Sequence, residues 1–78
     1  MLHELWVDAD GLDTFCFAGP MGDGARALLK QPADLVWTVS ARSHFDAMTM
    51  YYEFRGRGEY STDYPDHDRQ PYAERGWE

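Results

Sequence analysis

Apolar and polar residues between Ser43 and Gly56 repeat with the period of an α-helix, and this is the clearest pattern in the chain. Ser43 is a favourable N-cap residue, and Gly56 stands where a left-handed C-terminal residue is wanted. One side of this helix would carry a polar stripe of Asp46, Thr49 and Glu53. The opposite, apolar face would consist of Ala47, Met48 and Tyr51. A strand over residues 49–54 that pairs with residues 59–62 is the competing interpretation, because both segments are rich in β-forming residues. The caps and the stripe agree, so we favour the helix.

Two short alternating segments near the N-terminus predict a β-hairpin. Residues 2–8 and residues 14–18 each place apolar side chains on one face of a strand. Asp10 and Gly11, which lie between them, form a dipeptide typical of tight hairpin turns.

The middle of the chain predicts a helix followed by a third strand. Asp23 would cap a short helix over residues 23–30, whose Ala27 and Leu28 would face the sheet. Residues 34–40 read as a strand because apolar side chains alternate there. A helix between strands two and three implies a right-handed crossover, and the simplest sheet then has strand one at its centre, in the order 2-1-3.

These elements predict a small α+β fold in the order ββαβα, with both helices packed on one face of a three-stranded, antiparallel-to-mixed sheet. All 78 residues would form a single domain, in which residues 57–78 are an irregular segment that packs back on the domain or on a partner. The predicted core comprises Leu5, Val7, Phe15, Phe17, Leu28, Leu35, Trp37, Val39, Met48 and Tyr51.

Charge and composition narrow the classes of function. The net charge of −7 argues against binding nucleic acid through its phosphates and against an anionic membrane surface, but it would attract a basic partner. Cys16 is the only cysteine, so no disulfide can form within one chain. A lone cysteine, the lack of a signal-peptide pattern and the lack of a long apolar run together predict a cytoplasmic protein.

Aromatic residues are unusually frequent in the C-terminal segment for a stretch without regular period. Disordered segments are poor in aromatic residues, whereas Tyr, Trp and Arg anchor protein interfaces. Tyrosine rings that cover the core edge with their hydroxyls in water are the alternative explanation. The candidate interface residues are Tyr52, Tyr60, Tyr64, Tyr72 and Trp77.

Candidate chemistry is weaker. The cluster Asp63, Asp66, His67 and Asp68 carries oxygen and imidazole ligands for a divalent metal, yet its spacing matches no established metal motif. His44 is a candidate general base, but its only nucleophilic partner, Cys16, is expected to be a buried strand residue. The glycine-rich loop over residues 19–24 lacks the Lys-Ser/Thr ending of a phosphate loop, and no cofactor is predicted.

The sequence therefore favours a non-enzymatic protein–protein interaction module that binds itself or a basic partner. The alternative is a small enzyme or divalent-metal-binding protein, for which the residues would be Asp63, Asp66, His67, Asp68 and His44.

Overall fold

A computed structural model describes all residues, 1–78. The strands are β1 (Leu2–Val7), β2 (Asp13–Phe17) and β3 (Asp34–Ser40), and the α-helices are α1 (Asp23–Arg26), α2 (His44–Arg55) and α3 (Pro65–Arg69), with a 3-10 turn at Pro20–Gly22. The strands form one antiparallel sheet in the order β2-β1-β3, which confirms the predicted α+β class and strand order. The chain divides into two compact units, residues 2–39 and Met1 with residues 40–78. The single domain and the shared sheet face of the two helices stay predictions.

The hairpin in the first unit forms where the sequence predicts it. β1 and β2 pair antiparallel with Leu5 opposite Phe15. The Asp8 carboxylate accepts hydrogen bonds from the backbone N–H groups of Asp10 and Leu12, at 2.9 and 3.1 Å. Gly11 supplies the positive φ of 77° that the turn requires. Local side-chain-to-backbone bonds therefore reverse the chain between the two strands.

The two faces of this sheet carry different chemistry. On one face, the His3 ring stacks on Phe15 with ring centroids 5.3 Å apart, and Phe15 stacks on Trp37 at 6.1 Å. Because side chains alternate along a strand, Glu4 and its cross-strand partner Cys16 lie on the opposite face. The Arg26 guanidinium binds Glu4 there, with Nη1 3.0 Å from the carboxylate.

α1 differs from its prediction in length, cap and orientation. It ends at Arg26, because the following Leu28 and Leu29 amides bond three residues back and tighten into a turn. Asp23 is its first residue instead of its cap, and its carboxylate pairs with Arg26 at 2.6 Å. Leu28, predicted to be core, is 83% exposed. Arg26 takes the position against the sheet because Glu4 and two backbone carbonyls offer it partners.

In the second unit, α2 has the predicted bounds and caps. The Ser43 hydroxyl accepts a hydrogen bond from the Asp46 N–H at 3.1 Å, and Gly56 adopts the left-handed φ of 66°. Ala47 and Tyr51 are buried, as the apolar face predicts. The helix prediction is confirmed, and the competing strand over residues 49–54 is wrong. None of the helices is long and apolar enough to cross a membrane.

The C-terminal segment contains more order than predicted. α3 begins at Pro65, whose missing N–H is tolerated in the first turn of a helix. Further on, the Tyr72 N–H donates to the Arg42 carbonyl at 2.8 Å, and Tyr72 stacks on Trp77 with centroids 5.8 Å apart. Tyr72 is only 1% exposed.

Candidate interaction surface

β3 lies at an edge of the sheet, because the order β2-β1-β3 gives it a strand neighbour on one side only. Its side chains are mostly exposed, and Leu35 and Val36 show 46% and 44% of their surface. Asp34 is its one charged residue, and the strand contains neither lysine nor proline. Natural edge strands are usually protected by those residues or by a cover, so β3 lacks the common protection against pairing with another strand.

The backbone groups of β3 alternate between β1 and solvent. In the first ladder, the Ala18 N–H donates to the Leu2 carbonyl, which directs the even-numbered residues of β1 toward β2. On the other side, Met1 and Ala41 exchange hydrogen bonds, which marks an antiparallel pair of odd-numbered residues. The odd-numbered residues of β3 therefore bond to β1. The outward-facing set is Asp34, Val36, Thr38 and Ser40.

The open edge of β3 has a defined start and end. It differs from the edge of β2, which is partly capped by a side chain. After Ser40, the Arg42 carbonyl already accepts the Tyr72 N–H, and before Asp34, Pro32 has no N–H to offer. At the other edge of the sheet, Arg26 Nη1 donates to the Phe17 carbonyl at 2.8 Å. The edge of β2 is thus partly capped by a side chain, while β3 presents its outward groups over its whole length.

A second feature is an aromatic cluster in residues 40–78, centred on Tyr60. Its ring packs edge-to-face on Phe45 and Tyr52, with centroids 5.5 and 5.3 Å apart, and more distantly on His44 at 6.4 Å. The Tyr60 hydroxyl donates to Asp68 Oδ2 at 2.7 Å. Edge-to-face geometry is favourable for aromatic pairs, so the cluster attaches the segment after α2 to the helix itself.

The pKa values of Tyr60 and Asp68 shift in opposite directions. Burial, and then the hydrogen bond to Asp68, raise the pKa of the Tyr60 hydroxyl. The hydrogen bond from Tyr60 lowers the pKa of the Asp68 carboxyl, because that bond favours the ionised form. Arg69 lies over the Phe45 ring, with its guanidinium carbon 4.4 Å from the centroid. The residues of the cluster therefore make these contacts with other groups of the same chain.

The aromatic residues predicted as an interface differ in how exposed they are. Tyr52 and Tyr60 are half-buried in the cluster, and Tyr64 is 73% exposed. Tyr72 is buried, with 1% of its surface exposed. Trp77 is exposed but stacks on Tyr72. The interface prediction for these five residues stays a prediction.

The predicted metal residues are not gathered into a site. Asp63, Asp66 and His67 are exposed, His44 is exposed at the edge of the aromatic cluster, and Asp68 is bonded to Tyr60. No three His, Cys, Asp or Glu side chains lie where they could share a metal ion. The metal alternative therefore gains no geometric support.

Cys16 lies in surroundings unsuited to a nucleophile. It is buried, and burial raises the pKa of its thiol despite the opposing charge of Arg26, whose Nη1 is 3.9 Å from the sulfur. A raised thiol pKa keeps the thiolate, which is the reactive form, scarce near neutral pH.

The edge of β3 is the surface that sequence reasoning did not single out. Two observations pointed to it: the order 2-1-3 puts the third strand at an edge, and residues 34–40 contain one charge. Comparisons with models of protein families, with curated proteins and with solved structures find no match to this chain. The functional argument therefore rests on the geometry of the chain itself.

Proposed function

We propose that this protein is a non-enzymatic protein–protein interaction module of the cytoplasm, and that its contact surface is the outward edge of β3. The observation that carries the proposal is a seven-residue edge strand with Leu35 and Val36 exposed. An added strand pairs through main-chain hydrogen bonds, and exposed apolar side chains on the edge add contact area. The negative net charge of −7 makes nucleic acid and anionic membranes poor partners for the same surface.

Site-specific photo-crosslinking in living cells tests this proposal. A photoreactive amino acid replaces Val36 in one variant and Leu28, which is exposed outside β3, in a matched control. We expect a discrete covalent adduct with a polypeptide chain from position 36 and none from position 28, read by mass spectrometry. Absence of an adduct at position 36, or equal adducts at both positions, would contradict the proposal.

A further inference from the structure

We infer that the strand bound by β3 is β3 of a second copy of this chain, in a two-fold symmetric, antiparallel pair. This inference rests on the proposed function and names its partner. Antiparallel self-pairing brings a surface against itself, as two-fold dimers require. The resulting six-stranded sheet removes one exposed edge from each copy, which is how an unprotected edge is usually satisfied.

The register follows from which backbone groups are available. The outward-facing residues of one copy must pair with those of the other, because only their backbone N–H and C=O groups point away from β1. The edge is bounded beyond Ser40 by the bond between Tyr72 and Arg42. Centring the two-fold axis on Trp37 is then the register that uses all the outward residues of both copies. Val36 lies opposite Thr38 of the second copy in this register, and Asp34 lies opposite Ser40.

The side chains fit that register. Asp34, the one charged residue of β3, faces a serine hydroxyl of the second copy and stays far from the second Asp34. Leu35 faces Val39, and the two Trp37 rings meet at the axis on the face where each already stacks on Phe15. Apolar and aromatic cross-strand pairs stabilise a sheet, whereas directly opposed like charges destabilise it. The strand is therefore complementary to itself in charge as well as in hydrogen bonding.

Purified full-length chain provides the first test, by sedimentation over a range of concentrations and by amide hydrogen exchange. We expect a dimer, with the Val36 and Thr38 amides exchanging more slowly as concentration rises. Because each copy carries a charge of −7, raising ionic strength from about 0.1 to 1 M should strengthen the dimer by screening repulsion. A complex with a basic partner would weaken under the same change.

Charge substitutions test the register itself. Val36→Lys and Thr38→Glu should each raise the dimer Kd at least about tenfold, because each places an unpaired charge at the new strand pair. The double variant Val36→Lys/Thr38→Glu should recover to within about threefold of the unsubstituted chain, since opposite charges then face each other across the axis. Leu28→Lys adds the same charge outside β3 and should leave the Kd unchanged.

The outcomes separate the dimer from the wider proposal. A chain that stays monomeric up to about 1 mM overturns the dimer, and the crosslinking experiment alone then decides whether β3 binds another protein. A dimer unaffected by Val36→Lys and Thr38→Glu, in variants with unchanged thermal unfolding, overturns the use of β3. Failure of the double variant to recover overturns the register.

Discussion

Two neighbouring glycines provide the sharpest test of the packing in residues 2–39. A Cβ added at Gly22 would lie 1.8 Å from the Phe17 carbonyl oxygen and 2.6 Å from Arg26 Nη1. A Cβ added at Gly24, two residues later, would meet nothing within 4 Å. Neither glycine has a positive φ. The space available is therefore the main difference between the two alanine substitutions.

The expected magnitudes have opposite signs. To reach the 3.0 Å that real Cβ contacts observe, the turn and β2 must separate by about 1.2 Å in Gly22→Ala. Overpacking of this kind costs about 1–3 kcal/mol, and the hydrogen bond from Arg26 to the Phe17 carbonyl adds about 1–3 kcal/mol if it is lost. Gly24→Ala should instead stabilise by about 0.4–1 kcal/mol, because it restricts the unfolded chain.

Thermal and urea unfolding followed by circular dichroism at one fixed protein concentration measure both variants. For a chain of this size, 1 kcal/mol shifts the melting temperature by about 4–8 °C. Gly22→Ala should therefore melt at least about 4 °C lower, and Gly24→Ala a few degrees higher. If Gly22→Ala unfolds within about 0.5 kcal/mol of the unsubstituted chain, the 3-10 turn does not lie against Phe17. Equal losses at both positions would mean that space is not the cause.

Three further predictions concern residues 40–78. Ser43→Ala should lower the free energy of unfolding by about 1 kcal/mol because it removes the N-cap of α2, while Ser61→Ala, at an exposed loop position, should change little; equal effects would refute the cap. The pKa of Asp68 is lowered in the folded state, so this carboxylate contributes stability at pH values above the ordinary carboxyl pKa of 3.8. That stability is lost as the pH falls through the pKa of the folded state, so the acid-unfolding curve should shift in Asp68→Asn and not in Asp66→Asn. Burial raises the pKa of Tyr72 to about 12, so stability present below pH 10 should decline between pH 10 and 12, and Tyr72→Phe should remove that decline in alkaline unfolding curves.

The proposed surface changes what the aromatic excess means. The rings of Phe45, Tyr52 and Tyr60 contact each other and hold the segment after α2, so they serve the structure of their own unit. The exposed edge of β3 instead offers backbone N–H and C=O groups, and amino-acid composition does not reveal which backbone groups lie at the edge of a sheet. An interface argument based on composition therefore pointed to the C-terminal segment, while the geometry points to a strand edge.

Sequence reasoning succeeded where the decisive interactions are local. The caps of α2 join residues no more than a few positions apart, and so do the Asp8 contacts that form the hairpin turn. The bounds of β3 were predicted to the residue because alternation within one strand is a short-range property. The strand order also agrees with the prediction, because a helical connection between strands two and three leaves room for strand one between them.

Pairings between residues far apart in the chain decided the rest. Arg26 displaces Leu28 from the sheet because Glu4, 22 residues earlier, gives its charge a partner that no periodicity reveals. The Tyr72 backbone N–H binds the carbonyl of Arg42, 30 positions away. The position of β3 at the edge has the same origin, because it depends on which other strands pair with β3 and not on the residues of β3 alone. Sequence periodicity specifies each element, whereas the choice of neighbours depends on the folded arrangement of the whole chain.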